Sequence, residues 1–305
     1  MLIYATDAAT HHITPPGHPE RVDRIAAVER GLLGIPATRR TSPLAAEADI
    51  LMCHPARYLA RIKAAEPTSG TAQLDPDTWM SPGSFAAASR AVGGACAAVD
   101  AVLDGEDTTA FVASRPPGHH AETETPMGFC LFGTVAIAAK KALMRLNRVA
   151  VVDFDVHHGN GTQDLLWSEP RALFVTSQQM PLWPGTGDPS ERGAHGQILN
   201  LPLPPGSDGS HMRAAYTAQV FPAIDAFQPE LILISAGFDA HADDPLAGLN
   251  WQADDYDWLT RRLCDLAARH AKGRVVSCLE GGYDLAALTL SVAAHVAVLQ
   301  EYSHG

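Results

Sequence analysis

The segment Asp153-Phe154-Asp155-Val156-His157-His158-Gly159-Asn160-Gly161 carries two carboxylates and an imidazole at alternate positions. It follows the apolar run Val149–Val152, so strand alternation puts Asp153, Asp155 and His157 on one side of the extended chain. Two carboxylates and an imidazole on one face are metal-ligand material. A strand end that merely caps a helix is the blander alternative, but charged residues rarely cluster in a buried strand. A dinucleotide-binding turn does not fit, because Asp164 stands where a third glycine is needed.

Three further segments have the same position after an apolar run. Arg115-Pro116-Pro117-Gly118-His119-His120 holds adjacent histidines after a tight turn, a pattern suited to proton transfer. Ser235-Ala236-Gly237-Phe238-Asp239 offers a third carboxylate, although a loop aspartate often just bonds to backbone. Leu279-Glu280-Gly281-Gly282-Tyr283 brings paired glycines that let backbone approach a ligand, and a tyrosine hydroxyl that could face a site. A packed tyrosine after a turn is the plainer reading of the last segment on its own.

The elements that position these groups are legible as short apolar runs alternating with amphipathic ones. Strands are expected at 2–5, 109–114, 149–155, 172–177, 198–203, 231–237 and 274–280, and helices near 20–33, 55–65, 83–103, 133–146, 161–168, 210–227, 252–271 and 285–300. Runs that are apolar throughout fit a buried parallel sheet with helices on both faces. The chemical residues then sit at the carboxyl ends of strands, where open α/β sheets bind ligands. No repeat or linker divides the chain, and residues 1–305 read as one domain, with long connections at 66–78 and 178–196.

Composition narrows the function. The chain has 305 residues, 46% of them hydrophobic, and a formal charge of −12. Such an acidic balance is unsuited to nucleic acid, which needs basic patches. Cys53, Cys96, Cys130, Cys264 and Cys278 form no C-x-x-C pair, which disfavours zinc-finger and disulfide frameworks. No leader and no membrane-spanning stretch are apparent, so a cytoplasmic enzyme with no membrane partner is expected.

Together, in this order, the four segments resemble the signature of the histone deacetylase family, including its bacterial class II-like amidohydrolases and the acetylpolyamine amidohydrolases. The likeness runs from about His18 to Tyr283. It implies the arginase–deacetylase fold, an α/β domain with a central, mostly parallel eight-stranded sheet. It also implies that Asp155, His157 and Asp239 bind a metal, zinc by preference, although the donor set also suits Fe²⁺ or Co²⁺. His119 and His120 match the tandem catalytic histidines and Tyr283 the tyrosine that polarises the substrate carbonyl. Asp153 matches the carboxylate behind the first histidine, and Asn160 falls where class I members have an aspartate behind the second. Phe129 and Trp183 match the aromatic walls of an acyl-lysine tunnel, and Gly128, beside Phe129, and Gly281, whose bare backbone can approach a ligand, are expected to bind substrate with them. Asp77 matches an acidic residue at the rim, Arg21 the arginine of an acetate exit cavity, and Leu246 a gatekeeper position. Ser177 and the backbone around Asp153 match a structural potassium site.

The sequence departs from the family at Gly133, usually Asn, and at Gln178-Gln179 after Ser177. Three functions stay open: a deacylase of acylated lysine in peptides or proteins, an amidohydrolase of acetylpolyamines or other small acylated amines, and a non-catalytic acyl-lysine binder. Leu246 favours the first over a cationic polyamine. The complete set of ligands with Tyr283 disfavours the third.

Overall fold

A computed structural model describes residues 1–303 of the chain. Its strands are β1 (Leu2–Ala5), β2 (Thr38–Thr41), β3 (Ala72–Gln73), β4 (Trp79–Met80), β5 (Thr109–Ala113), β6 (Val149–Asp153), β7 (Ala172–Gln179), β8 (Ile198–Leu203), β9 (Ile232–Ala236) and β10 (Val275–Leu279). Its helices are α1 (Asp23–Gly31), α2 (Glu47–Ile50), α3 (Ala56–Ala65), α4 (Ser84–Leu103), α5 (Thr134–Ala142), α6 (Asn160–Leu166), α7 (Gly209–Ala215), α8 (Phe221–Phe227), α9 (Ala253–His270) and α10 (Leu285–Glu301). A π-helical turn, Tyr216–Val220, joins α7 to α8.

Eight strands form one sheet in the order β2-β1-β5-β10-β9-β6-β7-β8. Every neighbouring pair is parallel. The sheet is therefore more uniform than the expected mostly parallel one. Its central strands are rich in Val, Ile and Ala and buried on both faces, as parallel strands covered by helices must be. Alternate residues feed two apolar cores. Phe111, Val152, Ile234 and Val275 pack with α1, α9 and α10, whereas Val112, Val151, Leu233 and Val276 pack with α3, α4 and α5.

The sheet's first edge was not expected from the sequence. β2 is Thr-Arg-Arg-Thr, largely exposed, and it pairs with β1 in the register Leu2↔Thr38. Its arginines are tied off, Arg39 to Glu29 at 2.5 Å and Arg40 to Glu106 at 2.6 Å. Charged side chains of this kind protect an edge from pairing with another chain. The 66–78 connection also holds more than loop, because β3 pairs antiparallel with β4, which carries the half-buried Trp79.

α4 corrects another expectation. It is long and apolar enough to cross a membrane by length and composition. Its Ala- and Val-rich faces are instead consumed by the core, against β5 and α5.

Two helix starts bear directly on the chemistry. Asp284 caps α10 by accepting from the Ala287 N–H at 2.8 Å, which pins Tyr283 at the helix entrance. The first turn of α6 begins at Asn160, so the loop after β6 ends in a side chain held by a helix.

Candidate active site

The four adjacent, parallel strands β5, β10, β9 and β6 each end in a loop on the same rim of the sheet. The loop after β5 delivers His119 and His120, and that after β6 delivers Asp155 and His157. The loop after β9 delivers Asp239, and that after β10 delivers Tyr283. β6 stops at Asp153, so Asp155 and His157 gather through loop geometry rather than strand alternation.

Asp155, His157 and Asp239 are buried, with ligand atoms all within 4.8 Å of one another. His157 Nδ1 lies 3.2 Å from Asp155 Oδ1 and 3.2 Å from Asp239 Oδ2. Backbone N–H groups orient the carboxylates: Gly281 donates to Asp155 Oδ2 at 2.9 Å, and Val156 donates to Asp239 Oδ1 at 2.9 Å. Two buried carboxylates flank one imidazole and concentrate negative charge around it. Burial opposes a charged ring at His157, yet hydrogen bonds to both aspartates lift its pKa to about 10. The triad thus attracts a cation, and its hard oxygens and single imidazole fit a divalent metal.

The histidine pair sits beside this triad with ring centroids 3.9 Å apart. His119 Nδ1 donates to Asp153 Oδ2 at 3.0 Å, and His120 Nδ1 donates to Asn160 Oδ1 at 2.7 Å. Burial disfavours charge on both rings. At His119 the Asp155 and Asp153 carboxylates outweigh burial and hold the pKa well above the ordinary histidine value. At His120 burial and then the neighbouring His119 and His157 push it well below. One ring is therefore kept charged and the other neutral, a separation that suits acid and base roles. The turn bearing them is anchored by Glu280, whose Oε2 accepts from Gly118 N at 2.6 Å and His119 N at 3.1 Å.

A cavity of about 350 Å³ leads from the surface to this cluster. His120, His157 and Tyr283 lie at its inner end, and Gly128, Phe129, Leu182 and Trp183 form its walls. His18, Pro19, Pro76, Asp77, Trp79 and Leu246 complete the lining. The Phe129 and Tyr283 rings meet edge to face at 5.8 Å. Phe129 adopts φ 69°, a left-handed conformation unusual for a bulky residue, with its N–H held by Thr78 Oγ1 at 3.0 Å. Gly128 must lack a side chain, since a Cβ there would overlap His120 and lie 2.6 Å from Trp183. A larger hollow of about 510 Å³ lies near Arg39 and Glu29, remote from these groups, and its paired charges leave no convergent chemistry.

Residues 16–299 match the family model described as histone deacetylase domain. The chain belongs to the histone deacetylase family. It is 42% identical over 250 residues to the histone deacetylase-like amidohydrolase of Pseudomonas aeruginosa, covering 80% of this chain and 66% of that protein. It is 37% identical over 284 residues to a probable deacetylase of Archaeoglobus fulgidus, covering 90% and 79% respectively. The solved HDA15 HD domain matches with a TM-score of 0.93 at 29% identity, over 98% of this chain and 88% of that one. The fold is thus the arginase–deacetylase fold, and the chain is a hydrolase of the deacetylase and amidohydrolase type.

Within this histone deacetylase fold, most of the expected site residues converge, and two stand elsewhere than expected. Arg21 is exposed and pairs with Asp23 at 3.4 Å, outside the site. Arg24, one helical step further on, is the buried arginine. It donates to Gly282 O at 2.7 Å and Glu280 O at 2.5 Å, and lies 4.9 Å from the Tyr283 ring centre. α1 begins only at Asp23, which turns Arg24 inward and leaves Arg21 ahead of the helix. Gly281 lies behind the ligand carboxylates, where a Cβ would collide with Asp155 and Asp239, and not along the cavity.

The Ser177 hydroxyl shares a 2.7 Å hydrogen bond with Tyr216 OH. The divergent glutamines tether the cavity's loops. Gln178 Nε2 donates to Gly187 O at 2.8 Å, and Gln179 Oε1 accepts from Gly248 N at 2.7 Å. Gly133 donates its N–H to His54 Nε2 at 2.9 Å, so this imidazole serves the departure from Asn. Trp79 and Leu182 were not anticipated, and the only cue to Trp79 is a large aromatic isolated in a polar stretch.

Proposed function

We propose that this chain hydrolyses the amide of N-acyl-lysine side chains in peptides or proteins, with a zinc ion held by Asp155, His157 and Asp239. The carrying observation is the cavity of about 350 Å³ whose lining joins Asp77 and Leu246, the aromatic Phe129 and Trp183, and the reactive groups His120 and Tyr283. A thin aminoalkyl chain can thread it and present its acyl carbon to the inner cluster. Leu246 adds no charge at the mouth, which favours an acyl-lysine chain over a cationic polyamine.

Bound at the triad, a divalent metal supplies Lewis-acid polarisation of the acyl oxygen and lowers the pKa of water. His120, kept neutral with its proton on Nδ1, offers the Nε2 lone pair to take a proton as water oxygen adds to the acyl carbon. Tyr283 donates its hydroxyl proton as a hydrogen bond to the acyl oxygen while that oxygen gains charge. His119, charged beside Asp153, stabilises the developing negative charge. As the C–N bond breaks, the proton taken by His120 is available to the leaving nitrogen. A carboxylate and a free amine result.

The test is turnover by protein stripped with a chelator and reloaded with Zn²⁺, Fe²⁺ or Co²⁺. Substrates are an acetyl-lysine peptide and acetylputrescine. Zinc should restore amine release, with the peptide preferred. Preference for acetylputrescine would refute the substrate, and failure of every metal would refute the chemistry.

A further inference from the structure

The family chemistry does not explain why a half-buried carboxylate stands behind Asn160. Glu122 Oε1 accepts from Asn160 Nδ2 at 2.8 Å, and the Met127 sulfur accepts from the same nitrogen at 3.4 Å. Both neighbours of Nδ2 are acceptors only, so the amide has one orientation, with Oδ1 toward His120. A flipped amide would set its oxygen against the Glu122 carboxylate. It would also present an N–H to His120 Nδ1. The imidazole proton would then have to move to Nε2, and the lone pair facing the cavity would be lost.

The loop carrying Glu122 is held from two sides through the neighbouring Thr123. Asp164, one helical turn beyond Asn160 on α6, accepts from Thr123 N at 2.8 Å and Thr123 Oγ1 at 2.6 Å. His54 donates from Nδ1 to Thr123 O at 3.1 Å while its Nε2 accepts from Gly133. His54 stacks on Tyr58 at 4.8 Å, which fixes that ring in turn. The Glu122 loop is thereby tied both to the helix bearing Asn160 and to the segment that follows Phe132.

We propose that Glu122 is a positioning residue that sets the tautomer of His120 by orienting the amide of Asn160. The inference rests on the reading of His120 as the base. Substituting Glu122→Ala should lower kcat about 10- to 100-fold with KM changed by no more than about 2-fold, a share of the 10²–10⁴ a positioned base supplies. NMR of labelled histidine should show the His120 proton leaving Nδ1 for Nε2 in part of the population. An aspartate at 160 has two acceptor oxygens and no orientation to set. In an Asn160→Asp background, Glu122→Ala should therefore change kcat by less than about 2-fold, or raise it by removing like charge. Equal losses in both backgrounds, or an unchanged tautomer in the single variant, would overturn the inference. Full kcat in a His120→Ala variant would instead sink the base assignment beneath it.

Discussion

Removing the single oxygen of Tyr283 isolates transition-state stabilisation from almost everything else the residue does. Its hydroxyl makes no hydrogen bond among the described residues and faces the cavity that ends at His120 and His157. The rest of the residue is held independently. The ring meets Phe129 at 5.8 Å and Arg24 at 4.9 Å, and the backbone N–H donates to Asp244 Oδ2 at 2.7 Å. Phenylalanine keeps all three contacts, so Tyr283→Phe should alter folding stability by less than about 1.5 kcal/mol, the usual limit for a shape-conserving swap. Burial also pushes the phenol pKa well above its ordinary value, so the hydroxyl is a protonated donor throughout the working pH range. Loss of one such donor costs about 2.7–4 kcal/mol, or a fall in kcat of about 10²–10³. The assay is steady-state release of amine from a fluorogenic acetyl-lysine amide, with metal content measured on the same sample. A kcat within about 3-fold of the parent at equal metal content would refute the assignment, since that is less than 1 kcal/mol of barrier.

Two other predictions follow from the cavity wall and rim. Gly128→Ala adds a methyl group against His120 and Trp183 at φ 54°; the left-handed backbone costs about 1–2 kcal/mol, seen as a lower Tm, and displacement of His120 should cut kcat about 100-fold, so a parental kcat would show that the His120 position is not critical. At the rim, burial and then the Asp75 charge raise the Asp77 pKa from 3.8 to about 6. The raised value means that the folded form prefers the neutral acid, so this group's contribution to stability is full below 3.8 and lost as pH rises through about 6. Binding of a peptide N–H needs the charged form, so kcat/KM should fall below about pH 6 and Asp77→Asn should erase that limb; an unchanged profile in the variant would remove Asp77 from substrate binding.

What the sequence disclosed follows from where charge is costly. Asp153, Asp155, Asp239 and Glu280 stand at or just beyond the ends of apolar runs, and burial of such groups demands partners, so their chemistry is visible without coordinates. The same logic fails where charge is cheap. β2 is exposed and carries two arginines, so no apolar run marks it. β3 and β4 are two residues each, too short for any periodicity, and they conceal Trp79 at the cavity mouth. Arg21 and Arg24 differ by less than one helical turn, and only the start of α1 decides which faces inward. α4 reads in the sequence only as an ordinary helix, although its length and composition would also suit a membrane span, and the packing of β5 and α5 against it makes it a core helix.

The buried charges around Arg24 show why the tyrosine can serve as a fixed donor. Glu20 accepts from Arg115 Nε at 2.5 Å, Arg115 Nη2 at 2.6 Å and Arg24 Nη1 at 3.1 Å. Burial alone would raise the Glu20 pKa, but the Arg115 guanidinium outweighs it and holds the carboxyl well below the ordinary range. The ionised glutamate in turn fixes both guanidiniums. Arg24 spends its remaining donors on the carbonyls of Glu280 and Gly282, the residues that flank Gly281 and lead into Tyr283. These bonds anchor the backbone of the β10 loop on both sides of Gly281, just ahead of Tyr283. A donor held in place before reaction needs no reorganisation as charge develops, and that is the condition under which one hydrogen bond contributes several kcal/mol.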